Sequence, residues 1–199
     1  MRVLAIGAHP DDIEIACSGT LAKCVKRGDK VIVCHASTGN LGHVIIPPDE
    51  LTEIRKKEAE KAGSLAGIEV IGGMFNDLDI FDNNKAARDK MVEVIKYAQP
   101  DFIITHNPDD YMPDHTAVSR LVFDASFTAT LPNYKCGGEK AAKLVPIYYM
   151  DTLAGVNFNP TEFVDISDEI DLKIKMLECH ESQLVWMKEH DGIDFAAVS

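Results

Sequence analysis

Two short polar stretches carry the residues best suited to chemistry. The first is His9-Pro10-Asp11-Asp12, and the second runs from His106 through Asn107-Pro108-Asp109-Asp110-Tyr111-Met112-Pro113-Asp114 to His115. Two adjacent carboxylates beside an imidazole are costly unless a cation compensates them. Neighbouring residues on a turn point in different directions, so Asp11 and Asp12 can divide the work: one ligates a metal and the other faces a substrate. Read singly, each stretch is also a solvated acidic turn capping a helix, a task Asp does well. Two such clusters weaken that plainer account together. Imidazoles with a carboxylate suit zinc better than magnesium, and three protein ligands leave an open position for water.

The surrounding elements must bring these stretches together. Residues 2–7 are a short apolar run ending at Gly7 and read as a buried strand. Residues 17–27 read as a helix stopped by Gly28, and Val31 to Cys34 as a second strand. A loop over 37–50 leads to a charged helix at 52–66, a third strand at 68–71, a helix at 84–98 and a strand at 101–105. Pro113 suits the first turn of a long helix reaching about Phe127. Residues 145–151 and 162–166 read as later strands, and Ser167 caps a last helix to about Gln183. Strands that alternate with helices imply a doubly wound α/β sandwich with parallel strands. Ligands bind such sheets at the carboxyl ends of the strands. Both polar stretches, and His35 after the second strand, fall at that edge.

Composition narrows the partners. The 199 residues suit one domain, residues 1–199. Lys and Arg number 20 against 32 Asp and Glu, a formal charge of −12, which disfavours nucleic acid and anionic membrane as main partners. No apolar stretch is long enough to span a bilayer. The five cysteines are odd in number and lack a C-x-x-C pair, which points to small buried hydrophobes in a reducing cytoplasm.

The stretch AIGAHPDDIEIACSGTLAK resembles the signature of the PIG-L/LmbE-like de-N-acetylases, and the similarity recurs at TEIRKKEAEKAGSLAGI, HNPDDYMPDHTAVSRLV and FVDISDEIDLKIKMLECHESQ. The resemblance implies a Rossmann-like three-layer fold with a mostly parallel sheet. It implies one zinc ion held by His9, Asp12 and His115, with Asp11 as general base on the water and Arg55 near the substrate or the acetate product. Periodicity alone makes Arg55 a solvated residue paired with Glu58. Glu14 belongs to the same signature and is expected to bind a sugar hydroxyl or to hold the loop. The expected reaction removes an acetyl group from an N-acetylglucosamine-like sugar or conjugate, and since some relatives assemble as trimers or hexamers, the resemblance also implies self-association.

One position departs from the pattern. The family has H-P-D-H where this chain has Met112-Pro113-Asp114-His115. The missing imidazole would stabilise an oxyanion or donate a proton, and one such contact is worth about 10²–10³ in rate. His106, Tyr111 and Arg55 are the candidates to replace it at the substrate side of Met112. Without a replacement, the chain is a zinc-binding relative with weak or lost catalysis that binds a sugar or acylated ligand. A nucleotide-binding Rossmann domain is disfavoured, because GAHPDD stands where a glycine-rich phosphate loop would be and its carboxylates repel a pyrophosphate.

Overall fold

The computed structural model describes residues 1–138 and 140–192. Five strands form one sheet, β1 (Arg2–Gly7), β2 (Lys30–Ser37), β3 (Glu69–Phe75), β4 (Phe102–His106) and β5 (Ile147–Met150). Their order is β3-β2-β1-β4-β5, and every pairing is parallel. The direction of winding reverses between β2-β1 and β1-β4, the switch point where open sheets of this kind bind ligands.

Helices cover both faces. They are α1 (Asp12–Ala16), α2 (Ser18–Lys26), α3 (Pro48–Ala66), α4 (Lys85–Ala98), α5 (Pro113–Thr128), α6 (Ile170–Glu178) and α7 (Glu181–Trp186). Strand alternation divides β1 between two cores. Leu4 and Ile6 pack with Met91, Ile95, Val118 and Leu121 of α4 and α5, whereas Val3 and Ala5 pack with Leu21, Ala62 and Met176 of α2, α3 and α6. Leu4 and Ile6 are wholly buried, and truncating either to Ala removes about 2–5 kcal/mol. That burial holds the carboxyl end of β1 in place. Four of the cysteines are buried and Cys136 is half-buried, all unpaired.

Caps set several boundaries. Pro48 and Pro113 stand in the first turns of α3 and α5, and Asn84 caps α4 by accepting the Ala86 N–H at 2.8 Å. The helix expected from residue 52 therefore starts one turn earlier. Gly72 lies at φ 138°, where a side chain would collide with the His35 carbonyl, and the β2–β3 register shifts between His35 and Ser37. No described helix is long and apolar enough to cross a membrane.

Two expectations are corrected. Residues 162–166 form no strand, since the chain leaves the sheet after β5 and runs along α2, where Lys23 Nζ donates to the Asp165 carbonyl and Ile166 packs on Gly19. Phe163 in this stretch is 84% exposed. The helix expected over 167–183 begins as a 3₁₀ turn at Ser167–Glu169 and breaks between α6 and α7, where His180 adopts φ −84°, ψ 56° and turns inward.

Candidate functional site

β1 ends against its neighbours, with the Ser37 N–H donating to the Ala8 carbonyl at 2.7 Å. The chain then turns sharply. Asp11 stands at φ 119°, a left-handed conformation that costs a non-glycine residue about 1–3 kcal/mol and is typical of functional sites. This kink separates the Asp11 and Asp12 side chains. Asp12 opens α1, and its Oδ2 accepts the His9 N–H at 2.7 Å.

The switch point brings His9, Asp12 and His115 together, with one ligand atom from each within 4.8 Å of the others. His115 comes from the first turn of α5. Its Nδ1–H donates to Asp110 Oδ2 at 3.0 Å, which leaves the Nε2 lone pair 3.3 Å from Asp12 Oδ1. That Nε2 is buried and has no hydrogen-bond partner among the described residues. His9 is held in the same way: Nε2–H donates to Asp114 Oδ2 at 3.1 Å, and Nδ1 faces Asp12 Oδ2 at 3.5 Å. Two imidazole lone pairs thus converge on one carboxylate, an arrangement that needs a cation or protons between them. The electrostatic surroundings of these groups act in the same direction. Burial opposes charge on His9, yet Asp114 and Asp12 outweigh it and hold its pKa well above the ordinary value. For His115, Asp12 likewise outweighs burial. Asp12, despite its burial, is held well below the usual carboxylate range by His115 and His106. The donor set fits a zinc-type cation, and the carboxylate behind each imidazole is the usual second layer of such sites. A second convergent set, His106, Asp110 and His115, is wholly buried, whereas His9 is only half-buried and opens the first set to solvent.

Asp11 lies beside this centre and is buried. Burial first, and then the Asp12 charge, push its pKa up to about 7, against His180, Arg55 and His9. Arg55 is 2% exposed rather than solvated. Its Nη2 donates to the Gly42 carbonyl at 2.9 Å and to Gln183 Oε1. Gly39, at φ +71°, runs so close to the guanidinium that a side chain there would strike it. Glu58 is spent instead on Ser182.

His106 and Glu14 are each 1% exposed, so neither offers an open face to a substrate. The Ala8 N–H donates to His106 Nε2 at 2.9 Å, and the same nitrogen lies 3.2 Å from Asp12 Oδ2. Burial holds the His106 pKa below its ordinary value, which suits the neutral ring that accepts this bond. Glu14 Oε2 lies 3.5 Å from His180 Nε2. Met112 is half-buried at the N-cap of α5, and Asp110 Oδ1 accepts its N–H at 3.0 Å. Tyr111 is 49% exposed. Trp186 stacks on His190 at 4.1 Å.

Sequence reasoning missed the orienting carboxylates Asp110 and Asp114, although the spacing of acids five and one residues before His115 carried a signal. It also missed Leu78, whose backbone at φ 62° aims its N–H at Asp114 Oδ2 at 2.8 Å. No local pattern marks that contact.

Comparison with known proteins adds three findings. Residues 4–126 match the family described as PIG-L, GlcNAc-PI de-N-acetylase. Diacetylchitobiose deacetylase of Thermococcus kodakarensis is 29% identical over 200 residues, covering 93% of this chain and 72% of that protein, and 4-oxalmesaconate hydratase of Pseudomonas putida is 27% identical over 90% of this chain and 73% of that one. The structure of N,N'-diacetylchitobiose deacetylase from Pyrococcus horikoshii superposes with a TM-score of 0.80 at 26% identity, covering 96% of this chain and 74% of that one.

Proposed function

The chain belongs to the GlcNAc-PI de-N-acetylase family, and from that premise we propose that it is a zinc-dependent hydrolase releasing acetate from the amide nitrogen of an N-acetylglucosamine-like sugar or conjugate. The observation that carries this reading is the buried, unpartnered Nε2 of His115, aimed with His9 at Asp12 while Asp110 consumes the other ring nitrogen. His9, Asp12 and His115 would hold the cation. When bound, zinc supplies Lewis acidity, lowering the pKa of water and favouring negative charge on the amide oxygen.

The chain's own residues supply the rest. Asp11 accepts a proton from the attacking water and returns it to the departing amine. Burial holds Asp11 above the ordinary carboxylate range, which suits a base that must also return the proton. Its carboxylate makes no hydrogen bond among the described residues, so its lone pairs are available for that proton. Arg55 sets a fixed positive charge beside it. Glu14 and His106 support the loop and Asp12 from behind. Of the residues considered in place of the imidazole missing at Met112, His106 is committed to Ala8, and Arg55 to Gly42 and Gln183. Tyr111 remains, with a half-exposed ring and a hydroxyl that makes no hydrogen bond among the described residues.

We take the substrate as a small N-acetylated sugar met in the cytoplasm by a one-domain protein that self-associates. Met112 favours a second reading, a zinc-binding relative with slow turnover. The test is release of primary amine and acetate, in equal amounts, from N-acetylglucosamine and N,N'-diacetylchitobiose by zinc-loaded protein. Equal release also separates amide hydrolysis from a hydration, which yields neither product. Asp11→Asn should keep zinc and lose about 10²–10⁴ in turnover. Turnover at the parent rate would remove Asp11 from its role, and amine release from no sugar would favour the second reading.

A further inference from the structure

At the break between α6 and α7, His180, Ser182 and Gln183 are each spent on a different group of the catalytic face. His180 faces Glu14. The Ser182 N–H and Oγ donate to the two oxygens of Glu58 at 2.8 and 2.7 Å. Gln183 Oε1 accepts from Arg55 Nη2, the nitrogen that also donates to the Gly42 carbonyl. We propose that Gln183 is a positioning residue, fixing the Arg55 guanidinium beside Asp11 through a neutral acceptor.

The neutrality matters. Arg55 feels carboxylates at Asp11, Asp77 and Glu58. A long side chain with about 2 kcal/mol of rotamer entropy, left to itself among anions, collapses onto the nearest one. Two neutral acceptors on one nitrogen, a backbone carbonyl from the loop after β2 and an amide from α7, fix the plane of the guanidinium without cancelling its charge. The Glu58–Ser182 pair sits one residue from Gln183 and holds α7 to α3, so the amide arrives at a set height along Arg55. An isolated structural hydrogen bond would not need this second tie.

The proposal rests on the hydrolase reading for its kinetic arm and stands without it for its spectroscopic arm. Gln183→Leu removes the acceptor at similar size, Gln183→Asn withdraws it by one methylene, and Gln183→Glu keeps an acceptor in place. The Leu and Asn variants should retain zinc content and thermal midpoint while kcat/KM for acetyl release falls about 10- to 100-fold, the scale of an ångström-sized misplacement. Gln183→Glu keeps the acceptor but makes it an anion, so kcat/KM should still fall although Arg55 stays held. In parallel, the Arg55 Nε–H resonance, assigned by its absence from Arg55→Lys, should shift in the Leu and Asn variants and stay near the parent position in Gln183→Glu. A folded Leu or Asn variant with an unmoved Arg55 resonance overturns the proposal, as does a Glu variant that keeps the parent kcat/KM, since the neutrality of the acceptor would then carry nothing. If Leu does not fold, Asn decides. If the parent releases no amine, the function fails, and the Arg55 resonance still decides the clamp.

Discussion

Two groups of imidazoles and carboxylates lie near Asp11: His9, His106 and His115 with Asp12, Asp110 and Asp114, and His35 and His180 with Glu14. Both groups are drawn from the carboxyl edge of the sheet and the helices beside it. They differ in what each imidazole is given to do. In the first group His9 and His115 each donate one nitrogen to a carboxylate, at 3.1 and 3.0 Å, and turn the other toward Asp12. In the second, His35 Nδ1 meets the His9 carbonyl at 3.1 Å, and neither nitrogen of His180 makes a hydrogen bond among the described residues. The rings of His35 and His180 meet edge to face at 6.4 Å, and Glu14 Oε2 lies 3.5 Å from His180 Nε2. A histidine becomes a metal ligand when one nitrogen is consumed and the other converges with its neighbours. Burial alone does not achieve that. The second group instead forms an internal ion pair: Glu14 is held below and His180 above the ordinary value despite burial, while burial keeps His35 low.

Breaking the comparison at its strongest point gives the largest effect. His115→Ala should abolish stoichiometric zinc binding, measured by metal analysis after dialysis, whereas His180→Ala should leave it intact. The cost of His180→Ala appears in stability. It strands the Glu14 carboxylate, 1% exposed, without its partner, and removing one member of a buried pair costs about 3–5 kcal/mol. Denaturant unfolding of the metal-free proteins checks this. Equal zinc loss in the two variants would erase the distinction between the groups.

The distinction was only partly legible in the sequence. β1, β2 and β4 announce themselves as apolar runs closed by Gly or followed by polar stretches, and Pro113 marks the start of α5. The convergence of His9, Asp12 and His115 follows once those strands are parallel. α1 was invisible because five residues are too few to show a helical period; it persists through Asp12 and the packing of Ile13. Phe163 and Val164 imitate a strand although they are exposed. The fate of Arg55 could not be read, since its partner Gln183 lies 128 residues away while Glu58 lies on the same helix. Asp114 read as a helix cap and Asp110 as part of an acidic turn, and spacing cannot say which ring nitrogen a carboxylate will meet.

Those two carboxylates sharpen the comparison at a smaller scale. Asp110→Asn keeps a side-chain acceptor for His115 but removes the charge behind the ring. Zinc affinity, measured by competition with a chelating dye, should fall about 10- to 100-fold, the usual worth of an orienting carboxylate. Glu14→Gln, its counterpart in the second group, should leave zinc affinity unchanged.

The smallest effect is carried by Asp11, which belongs to neither group and feels both. Its carboxyl is pushed to about 7 from an ordinary value of 3.8, first by burial and then by Asp12. The sign follows from proton counting. Between those two values the folded chain holds a proton on Asp11 that the unfolded chain has released, so this residue's contribution to stability declines as pH rises, levelling off above about 7. Asn carries no such proton. Metal-free Asp11→Asn should therefore gain on the parent as pH rises, by on the order of 1 kcal/mol between about pH 6 and 7. Zinc should shrink that gain, because a cation beside Asp12 removes the second cause of the shift. A parent and variant whose unfolding curves keep a constant separation across that range, with and without zinc, would mean that Asp11 ionises as an ordinary exposed carboxylate. The site would then lack the base on which its proposed chemistry depends.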